Sequence, residues 1–287
     1  MSNVQDHYSI LLAKHYTWMF GTPFATKVAE QKEILEDLLR PAADYSHLGL
    51  AVDLGSGPGF QTFALAEMGY SPVLAVDTSA FLLSELRSHQ GNLPLQTICD
   101  DILKLNEFVS PATARVIVCM GDTITHLSSK DAVVELLHLV SDALMPGGTF
   151  VLSYRDLSVE ATGLDRFIPV YGDEERVMTC FLEFDQSDTV LVHDLVYSRE
   201  GLRWLLEKSS YRKLRLPVDW LEYAMVHVGL IVQRGQAGRL TRLVGQKPEV
   251  TSAELPISRL SGNCGFKLTH YPKSSCRERS VRGEKRD

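Results

Sequence analysis

The feature that most constrains this chain is an apolar segment that runs directly into three closely spaced glycines, within Ala51-Val-Asp-Leu-Gly-Ser-Gly-Pro-Gly-Phe-Gln-Thr62. The apolar residues predict an interior β-strand, and residues 60–68 predict a helix. Gly55, Gly57 and Gly59 lack the Cβ atoms that would hold a ligand away from the backbone, and they permit positive φ. A strand, a glycine turn and a helix N-terminus therefore predict a ligand site, because the first helical amides point into the turn.

The glycine spacing indicates which ligand the turn binds. A dinucleotide fold has the pattern G-x-G-x-x-G, whereas here the third glycine comes one residue early and Phe60 holds the expected position. Asp53 precedes the turn, and a carboxylate suits a cationic ligand better than a diphosphate. Residues 53–59 resemble the first motif of the class I S-adenosylmethionine (SAM) methyltransferases, whose cofactor carries a sulfonium and an ammonium group. An ordinary glycine turn is the alternative.

A second acid follows at the end of the next predicted strand. Residues 74–77 end at Asp77, 24 positions after Asp53. An acid at the tip of the second strand of a βαβ unit is placed to accept hydrogen bonds from a ribose diol, and the resemblance assigns that role to Asp77. Helix capping by Asp77, Thr78 or Ser79 is the alternative, and both roles can coexist.

A third strand and an acid–apolar pair are predicted within residues 95–103. In the methyltransferase family, the acid after this strand lies near the adenine amino group and the apolar residue packs on the ring. The resemblance therefore assigns these roles to Asp101 and Ile102, with Asp100 as the one-residue alternative.

The remaining hydrophobic periodicity predicts an α/β fold, a Rossmann-like, doubly wound, mainly parallel seven-stranded sheet. Further strands are predicted at 114–120 and 149–154, a turn at 144–148, and helices at 25–39, 80–89 and 130–143. Leu214–Leu216, a helix at 217–228 and strands at 230–233 and 240–244 predict the closing part of the fold, with an antiparallel strand pair.

Two alternating runs, at 176–185 and 189–197, are joined by a polar turn and predict an added β-hairpin after the fifth strand. We expect it to form a lid, residues 170–200, over the end of the main sheet. Residues 1–248 are then the methyltransferase domain, with a cap helix within residues 1–24. Residues 249–287 are polar and basic, which predicts a disordered tail.

Charge and cysteine usage limit the partners. The net charge is −7, although residues 267–287 carry seven basic and three acidic side chains, so the body is acidic and poorly suited to nucleic acid. The five cysteines include no C-x-x-C pair, which favours reduced thiols and a cytoplasmic location. No secretion signal or apolar run of membrane-spanning length is visible, so no membrane partner is predicted.

Two segments at strand ends are candidates for the chemistry, because sites in open α/β sheets lie beyond the C-terminal strand ends. Residues 121–127 resemble the segment after strand four in small-molecule methyltransferases of the glycine N-methyltransferase kind, where it lines the cofactor pocket. His126 is a candidate to orient the acceptor or take its proton, because the intrinsic pKa of histidine lies near neutrality; helix packing and capping is the alternative.

The second segment is Tyr154-Arg-Asp156, at the end of strand five. In the same group an arginine at this place holds the substrate carboxylate, for which a guanidinium fork is well shaped. Carried over, Arg155 implies an acceptor that bears a carboxylate. Pairing of Arg155 with Asp156 or Asp165 is the alternative.

The aromatic N-terminal segment, residues 7–21, resembles a helix that folds over SAM in this family. Tyr8 and Trp18, and after them Tyr16, are candidates for contacts to the methionine end or, through a cation–π contact, to the sulfonium. Core packing is the alternative for each of these aromatic residues.

The resemblance as a whole implies methyl transfer from S-adenosyl-L-methionine to a small molecule, above all an amine or amino-acid-like nitrogen, by in-line displacement. Methylation at oxygen or sulfur, and a SAM-binding regulatory protein without turnover, are the alternatives. The predicted cofactor-binding residues are Tyr8, Trp18, Asp53, Gly55, Ser56, Gly57, Gly59, Asp77, Thr78, Asp101, Ile102, Gly121, Asp122 and Thr123. The predicted catalytic residues are His126, Tyr154 and Arg155. No metal site is predicted, because His193, Asp194 and His227 show no familiar ligand spacing.

Overall fold

The computed structural model describes residues 4–39, 48–237 and 240–249 of the 287-residue chain. The strands in chain order are β1 (Leu50–Leu54), β2 (Val73–Asp77), β3 (Leu95–Cys99), β4 (Ala114–Cys119), β5 (Leu144–Tyr154), β6 (Phe167–Gly172), β7 (Arg176–Glu183), β8 (Thr189–Glu200), β9 (Arg203–Leu214), β10 (Ile231–Ala237) and β11 (Leu240–Gln246). The α-helices are α1 (Val4–His7), α2 (Phe24–Leu39), α3 (Phe60–Glu67), α4 (Ala80–His89), α5 (Leu105–Phe108), α6 (Lys130–Ala143) and α7 (Val218–His227).

Seven strands form the main sheet in the order β10-β11-β5-β4-β1-β2-β3. The five strands β1 to β5 pair in parallel, while β11 runs antiparallel to both β5 and β10. Strand β1 is buried in the interior of the sheet between β4 and β2, so the glycine turn after it opens at the C-terminal edge of the sheet between those two strands. The predicted doubly wound fold with an antiparallel closing pair is confirmed.

Helices cover both faces of this sheet. On one face α6 and α7 pack over β4 and β5, and on the other α2, α3 and α4 pack over β1 and β2. The starts of α4 and α6 are fixed by serine caps, because Ser79 Oγ accepts from the Leu82 amide and Ser129 Oγ from the Ala132 amide. The predicted bounds of both helices are confirmed.

The residues predicted as a turn at 144–148 are instead the first part of β5. Pairing with β4 starts at Ala114–Leu144, breaks, and resumes at Val116–Thr149. The extra residues of β5 are accommodated at this irregularity, where Gly147 has a φ of +73°. Gly147 and Gly148 therefore lie at an irregularity within one strand and do not form a turn between two elements.

The predicted hairpin is present as β7 and β8, and the structure extends it to a four-stranded antiparallel sheet in the order β6-β7-β8-β9. Strand β9 pairs with β8 along its whole length but was not predicted. Near its start are three consecutive apolar residues, Trp204, Leu205 and Leu206, and all three are exposed. Because side chains alternate along a strand, Leu205 faces the opposite side of the sheet from the other two. That run hides the alternation by which a strand is recognised.

Residues 4–20 are helical but do not form one regular cap helix. They comprise α1, a π-helical turn at Tyr8–Leu12 and 3₁₀ turns at Ala13–His15 and Trp18–Phe20, and Gly21 follows with a φ of +66°. Leu11 and Leu12 of this segment pack on Met178 and Val196 of the four-stranded sheet. His7, fully buried, contacts the same sheet through Asp194, 3.0 Å from Nε2 to Oδ2.

Residues Met1–Val250 form one compact unit. The predicted tail, apart from residue 249, lies outside the described residues. In the described parts of the chain, no helix combines the length and apolarity needed to cross a membrane.

Candidate functional site

A cavity of about 530 Å³ lies at the C-terminal end of the parallel strands. Its wall combines the glycine turn, the N-terminal segment, the loops after β2, β3 and β4, and the ends of β8 and β9. The predicted site residues that line it are Tyr8, Gly55, Gly57, Asp77, Thr78, Asp101, Ile102, Thr123 and His126. Those that do not line it are Trp18, Asp53, Ser56, Gly59, Gly121, Asp122, Tyr154 and Arg155.

The glycine turn is held tightly under the loop after β4. Gly55 has a φ of +73°, and a Cβ at this position would overlap the side chain of Thr123. Its amide donates to the carbonyl of Val76, 2.8 Å away, which ties the turn to β2. The backbone at Gly55 and Gly57 is thereby presented to the cavity without an intervening side chain.

The other two residues predicted in this turn face the protein interior. A Cβ on Gly59 would lie 2.7 Å from Leu86 Cγ, so this glycine allows α3 to approach α4 closely. Ser56 is buried, and its Oγ has no hydrogen-bond partner among the described residues. These two positions shape the turn but do not form the cavity surface.

Asp77 lies at the tip of β2 and lines the cavity. Oδ2 accepts a hydrogen bond from the Gly57 amide at 2.8 Å, and Oδ1 accepts one from the Ser79 amide at 2.7 Å. Burial raises the pKa of this carboxyl, against the lowering effect of the two amides. Asp77 therefore orders the glycine turn and the start of α4, and it keeps lone pairs for further donors.

Asp101 and Ile102 lie beyond β3, at the same end of the cavity as Asp77. Asp101 Oδ1 accepts a hydrogen bond from the Leu103 amide at 3.0 Å and so begins the short helical turn that follows. Asp100, the alternative to Asp101, pairs with Lys104 at 2.9 Å and does not line the cavity. The geometry favours Asp101 of the two.

Asp53 does not line the cavity, so the ligand contact predicted for it from the sequence is corrected. Its carboxylate is almost fully buried, and Oδ2 accepts a hydrogen bond from Thr62 Oγ1 of α3 at 2.6 Å. Burial raises the pKa of Asp53 to about 7. The side chain lies beneath the turn and joins β1 to α3, because strand alternation directs it away from the cavity.

The aromatic residues of the N-terminal segment separate into two groups. Tyr8 and Tyr16 line the cavity with ring centroids 6.1 Å apart, and Tyr16 Cε1 lies 3.5 Å from where a Gly57 Cβ would stand. Trp18 points elsewhere: its indole donates to Asp173 Oδ2 at 2.6 Å, and the Arg176 guanidinium lies 4.4 Å from its ring centroid. The predicted place of Trp18 at the ligand site is therefore corrected, because Tyr16 lines the cavity and Trp18 does not.

His126 lies at the other end of the cavity, in the 3₁₀ turn after β4. Its ring meets the rings of Tyr8 and Tyr211 edge-on, with centroids 5.9 and 5.6 Å away. Burial, aided by the positive charge of Lys213, lowers the pKa of His126 to about 3. The imidazole is thus neutral near neutral pH, and its Nε2 has no hydrogen-bond partner among the described residues.

Asp122 lies beside the cavity at the centre of a charge cluster. Oδ2 accepts hydrogen bonds from Lys213 Nζ at 2.9 Å and from Arg155 Nη1 at 2.8 Å, while Oδ1 accepts one from the Arg155 amide. Burial opposes ionisation, but the two cations and their hydrogen bonds outweigh it and hold the pKa of Asp122 below its usual range. Arg155 therefore pairs with Asp122, and not with Asp156 or Asp165, which corrects its assignment to the substrate.

Tyr154 and Gly121 also lie away from the cavity. Tyr154 is fully buried with Phe150 and Leu152, on the face of the sheet that packs on α6 and α7, because these alternate residues of β5 share one face. Its predicted catalytic role is therefore corrected. The amide of Gly121 donates to Ser153 Oγ at 3.2 Å, on the opposite face of β5.

Four further cavity residues, from the four-stranded sheet, were not among the predicted site residues. They are Thr189 of β8 and Arg212, Lys213 and Leu214 of β9. Little in the sequence indicates the three residues from β9, because the second half of this strand has no apolar face that would mark it as a strand. Arg212 is held by Asp185, with hydrogen bonds of 2.8 and 2.6 Å from its two terminal nitrogens.

Comparison with known proteins relates this geometry to a family. Residues 51–148 match the family described as Methyltransferase domain. This chain carries a class I S-adenosylmethionine-dependent methyltransferase domain. The matched residues include the glycine turn, Asp77, Asp101 and His126. The predictions of family, of a methyltransferase enzyme and of SAM as cofactor are confirmed for this methyltransferase domain.

The methyltransferase domain resembles a curated protein over part of its length. The chain is 33% identical over 132 residues to carboxy-S-adenosyl-L-methionine synthase of Pseudomonas putida. The match covers 42% of this chain and 51% of that protein, so the chain spans about half the length of this relative.

Solved structures share the fold of the methyltransferase domain over most of its length. The CcbJ methyltransferase of Streptomyces caelestis is 22% identical, with a TM-score of 0.68, and the match covers 84% of this chain and 98% of that one. A sugar N-methyltransferase of Streptoalloteichus is 14% identical, with a TM-score of 0.62, and the match covers 87% and 94%. At these identities the likeness concerns the fold.

Proposed function

We propose that this protein transfers a methyl group from SAM to the nitrogen of a small-molecule amine. The observation that carries the proposal is one cavity with two different ends. At one end are the open glycine turn, Asp77 and Asp101; at the other is a partly buried, neutral His126 whose Nε2 has no hydrogen-bond partner among the described residues. Such a cavity can hold a cofactor and a second reactant against each other.

The residues of the first end fit SAM. Asp77 keeps acceptor capacity for a ribose diol, Ile102 offers an apolar surface for the adenine ring, and Asp101 carries a carboxylate oxygen for its amino group. The rings of Tyr8 and Tyr16 supply the electron-rich faces that a sulfonium prefers. When bound, SAM would supply its sulfonium methyl group to the acceptor nitrogen by in-line displacement, with SAH as the leaving group.

At the other end, the chain's own residues orient the acceptor and exclude water. The Nε2 atom of a neutral His126 accepts a hydrogen bond from an acceptor N–H, which directs the nitrogen lone pair. With its pKa near 3, His126 acts through orientation and does not carry a proton at neutral pH. The N-terminal segment and the four-stranded sheet cover this end, as a cap and lid would.

Nitrogen is preferred over oxygen or sulfur on two grounds. The resemblance of residues 121–127 points to N-methyltransferases, and one structure with a similar fold is a sugar N-methyltransferase. The free cysteines Cys99, Cys119 and Cys180 support the further proposal that the protein works in the reducing cytoplasm.

The proposal is tested by isothermal titration with SAM, S-adenosylhomocysteine (SAH) and NAD in parallel, followed by an acceptor screen that contains amines, alcohols and thiols. Binding of SAM and SAH without NAD, and label from methyl-labelled SAM in amines, is the expected result. Label in alcohols or thiols would transfer the proposal to oxygen or sulfur. Cofactor binding without any turnover would favour a regulatory protein.

A further inference from the structure

The acceptor end of the cavity contains a buried lysine that the proposed function does not yet use. Lys213 lies on the inner face of β9, and its side chain is only 9% exposed. It lines the cavity together with His126, and its Nζ lies 5.7 Å from the ring centroid of Tyr211. A buried ammonium group is costly unless it is paired, so its charge requires an explanation.

Pairing with Asp122 explains only part of this charge. The Oδ2 atom of Asp122 is shared by Lys213 and Arg155, so two cations meet one carboxylate and the cluster carries a net charge of +1. The two cations are not equivalent, because the Arg155 side chain is 57% exposed and does not line the cavity, whereas Lys213 is buried and lines it. Of the two cations on Asp122, Lys213 is therefore the one that is available to a ligand in the cavity.

Lys213 also retains donor capacity. An ammonium group has three N–H donors, and within the described residues Asp122 is the acceptor of its hydrogen bond. Among the other charged groups of the cavity, Arg212 is engaged by Asp185, and Asp77 and Asp101 lie at the cofactor end. Lys213 is thus the cation at the acceptor end that can receive an anionic group from a ligand.

We propose that Lys213 determines acceptor specificity by binding a carboxylate, so that the acceptor is an amino acid or a similar amino-carboxylate. This inference rests on the proposed function, which it deepens by naming the substrate class. A cation at this place also disfavours a protonated amine nearby, and only the free amine can attack a methyl group. The carboxylate role that the sequence suggested for Arg155 falls instead to the buried cation on the same aspartate.

The test uses the full chain and a defined acceptor mixture. Equal amounts of proteinogenic amino acids and of the amines formed by their decarboxylation are incubated with methyl-labelled SAM, and the labelled products are resolved by mass spectrometry. The kcat/KM of the best pair is then measured for the wild type, Lys213→Met, Lys213→Arg and Arg155→Met. Arg155→Met is the matched control, because it also removes a cation from Asp122 but lies outside the cavity.

We expect label in the amino-carboxylates. Lys213→Met should lower kcat/KM for the carboxylate member of the best pair by about 10- to 100-fold, and for the plain amine much less. Lys213→Arg should restore part of the loss, and Arg155→Met should keep the discrimination. Preferential labelling of plain amines, equal discrimination in Lys213→Met, or no labelled product although SAM and SAH bind would each overturn the inference. Failure to bind SAM and SAH would instead contradict the proposed function itself.

Discussion

The carboxylate of Asp77 is joined to the backbone amide of Gly57 by a 2.8 Å hydrogen bond. This contact connects the tip of β2 to the glycine turn after β1, so the acid and the turn form one unit at the cavity. The second carboxylate oxygen is held by the Ser79 amide. A side chain fixed at both oxygens is already oriented before a ligand arrives, which reduces the entropy lost on binding.

We therefore expect Asp77→Ala to weaken binding of SAH by about 10- to 100-fold, because hydrogen bonds to a charged group are lost and the turn loses its anchor. Isothermal titration measures the effect, and circular dichroism shows whether the fold is kept. Asp77→Asn, which retains one acceptor oxygen, should lie between the wild type and Asp77→Ala. Wild-type affinity in a folded Asp77→Ala variant would remove Asp77 from the cofactor site.

The close approach of Thr123 to Gly55 gives a second prediction. Gly55→Ala combines positive φ with overlap of Thr123, whereas Gly121→Ala has a similar φ of +79° and no atom within 4 Å of the new Cβ. Gly121→Ala should lower the free energy of unfolding by about 1–2 kcal/mol, and Gly55→Ala by roughly 1–3 kcal/mol more. Urea unfolding of both variants measures this, and equal losses would show that Thr123 moves aside at no cost.

Tyr16 and Trp18 are separated by one residue but occupy different surroundings. If the ring of Tyr16 faces the sulfonium, Tyr16→Leu should weaken SAM by about 5- to 30-fold and SAH, which lacks the charge, by less. Trp18→Leu should leave both affinities near the wild-type values, since its contacts are Asp173 and Arg176. Parallel titrations decide this: an equal loss for SAM and SAH would indicate packing alone, and a larger effect of Trp18→Leu would contradict the geometry.

The sequence predicts the central sheet and several residues of the cavity wall, because both are marked by local sequence signals. Glycine spacing, a strand-end acid and a helix cap can each be read from a short run of sequence, as Gly57, Asp77 and Ser79 show, although the bond between Gly57 and Asp77 joins residues 20 positions apart. Of the two acids after β3, Asp101 lines the cavity and caps the next turn, whereas Asp100 pairs with Lys104 outside it; the adenine contact of Asp101 stays a prediction.

The acceptor end could not be predicted in this way because its contacts join distant parts of the chain. Lys213 reaches Asp122 from a strand whose alternation is masked, and the pair is separated by 91 positions. Arg155 was assigned to the substrate from its position after β5, yet a neighbouring carboxylate that sequence could not place already binds it. The face of the sheet on which Tyr154 lies depends on counting alternate residues along β5. The irregularity in the pairing of β5 with β4 made that count uncertain from sequence.

Asp53 carries a pH dependence whose sign follows from its surroundings. Burial raises its pKa in the folded protein to about 7, from 3.8 in the unfolded chain. Between these values the folded state holds a proton that the unfolded state releases, so the contribution of Asp53 to stability is complete below about pH 4. It is lost as the pH rises towards 7. The loss is on the order of 4 kcal/mol at most.

Asp53→Asn removes this titration while it preserves the shape of the side chain. The free energy of unfolding of the variant, relative to the wild type, should therefore rise steadily between pH 4 and pH 7 and level off above that range. Urea unfolding at several pH values measures it, with Asp142→Asn, on the exposed side of α6, as the control for the same chemical change. The free energy of unfolding of Asp53→Asn could instead differ from that of the wild type by the same amount at every pH. Asp53 would then be ionised over the whole range, and its charge beneath the glycine turn would be stabilised by contacts beyond Thr62.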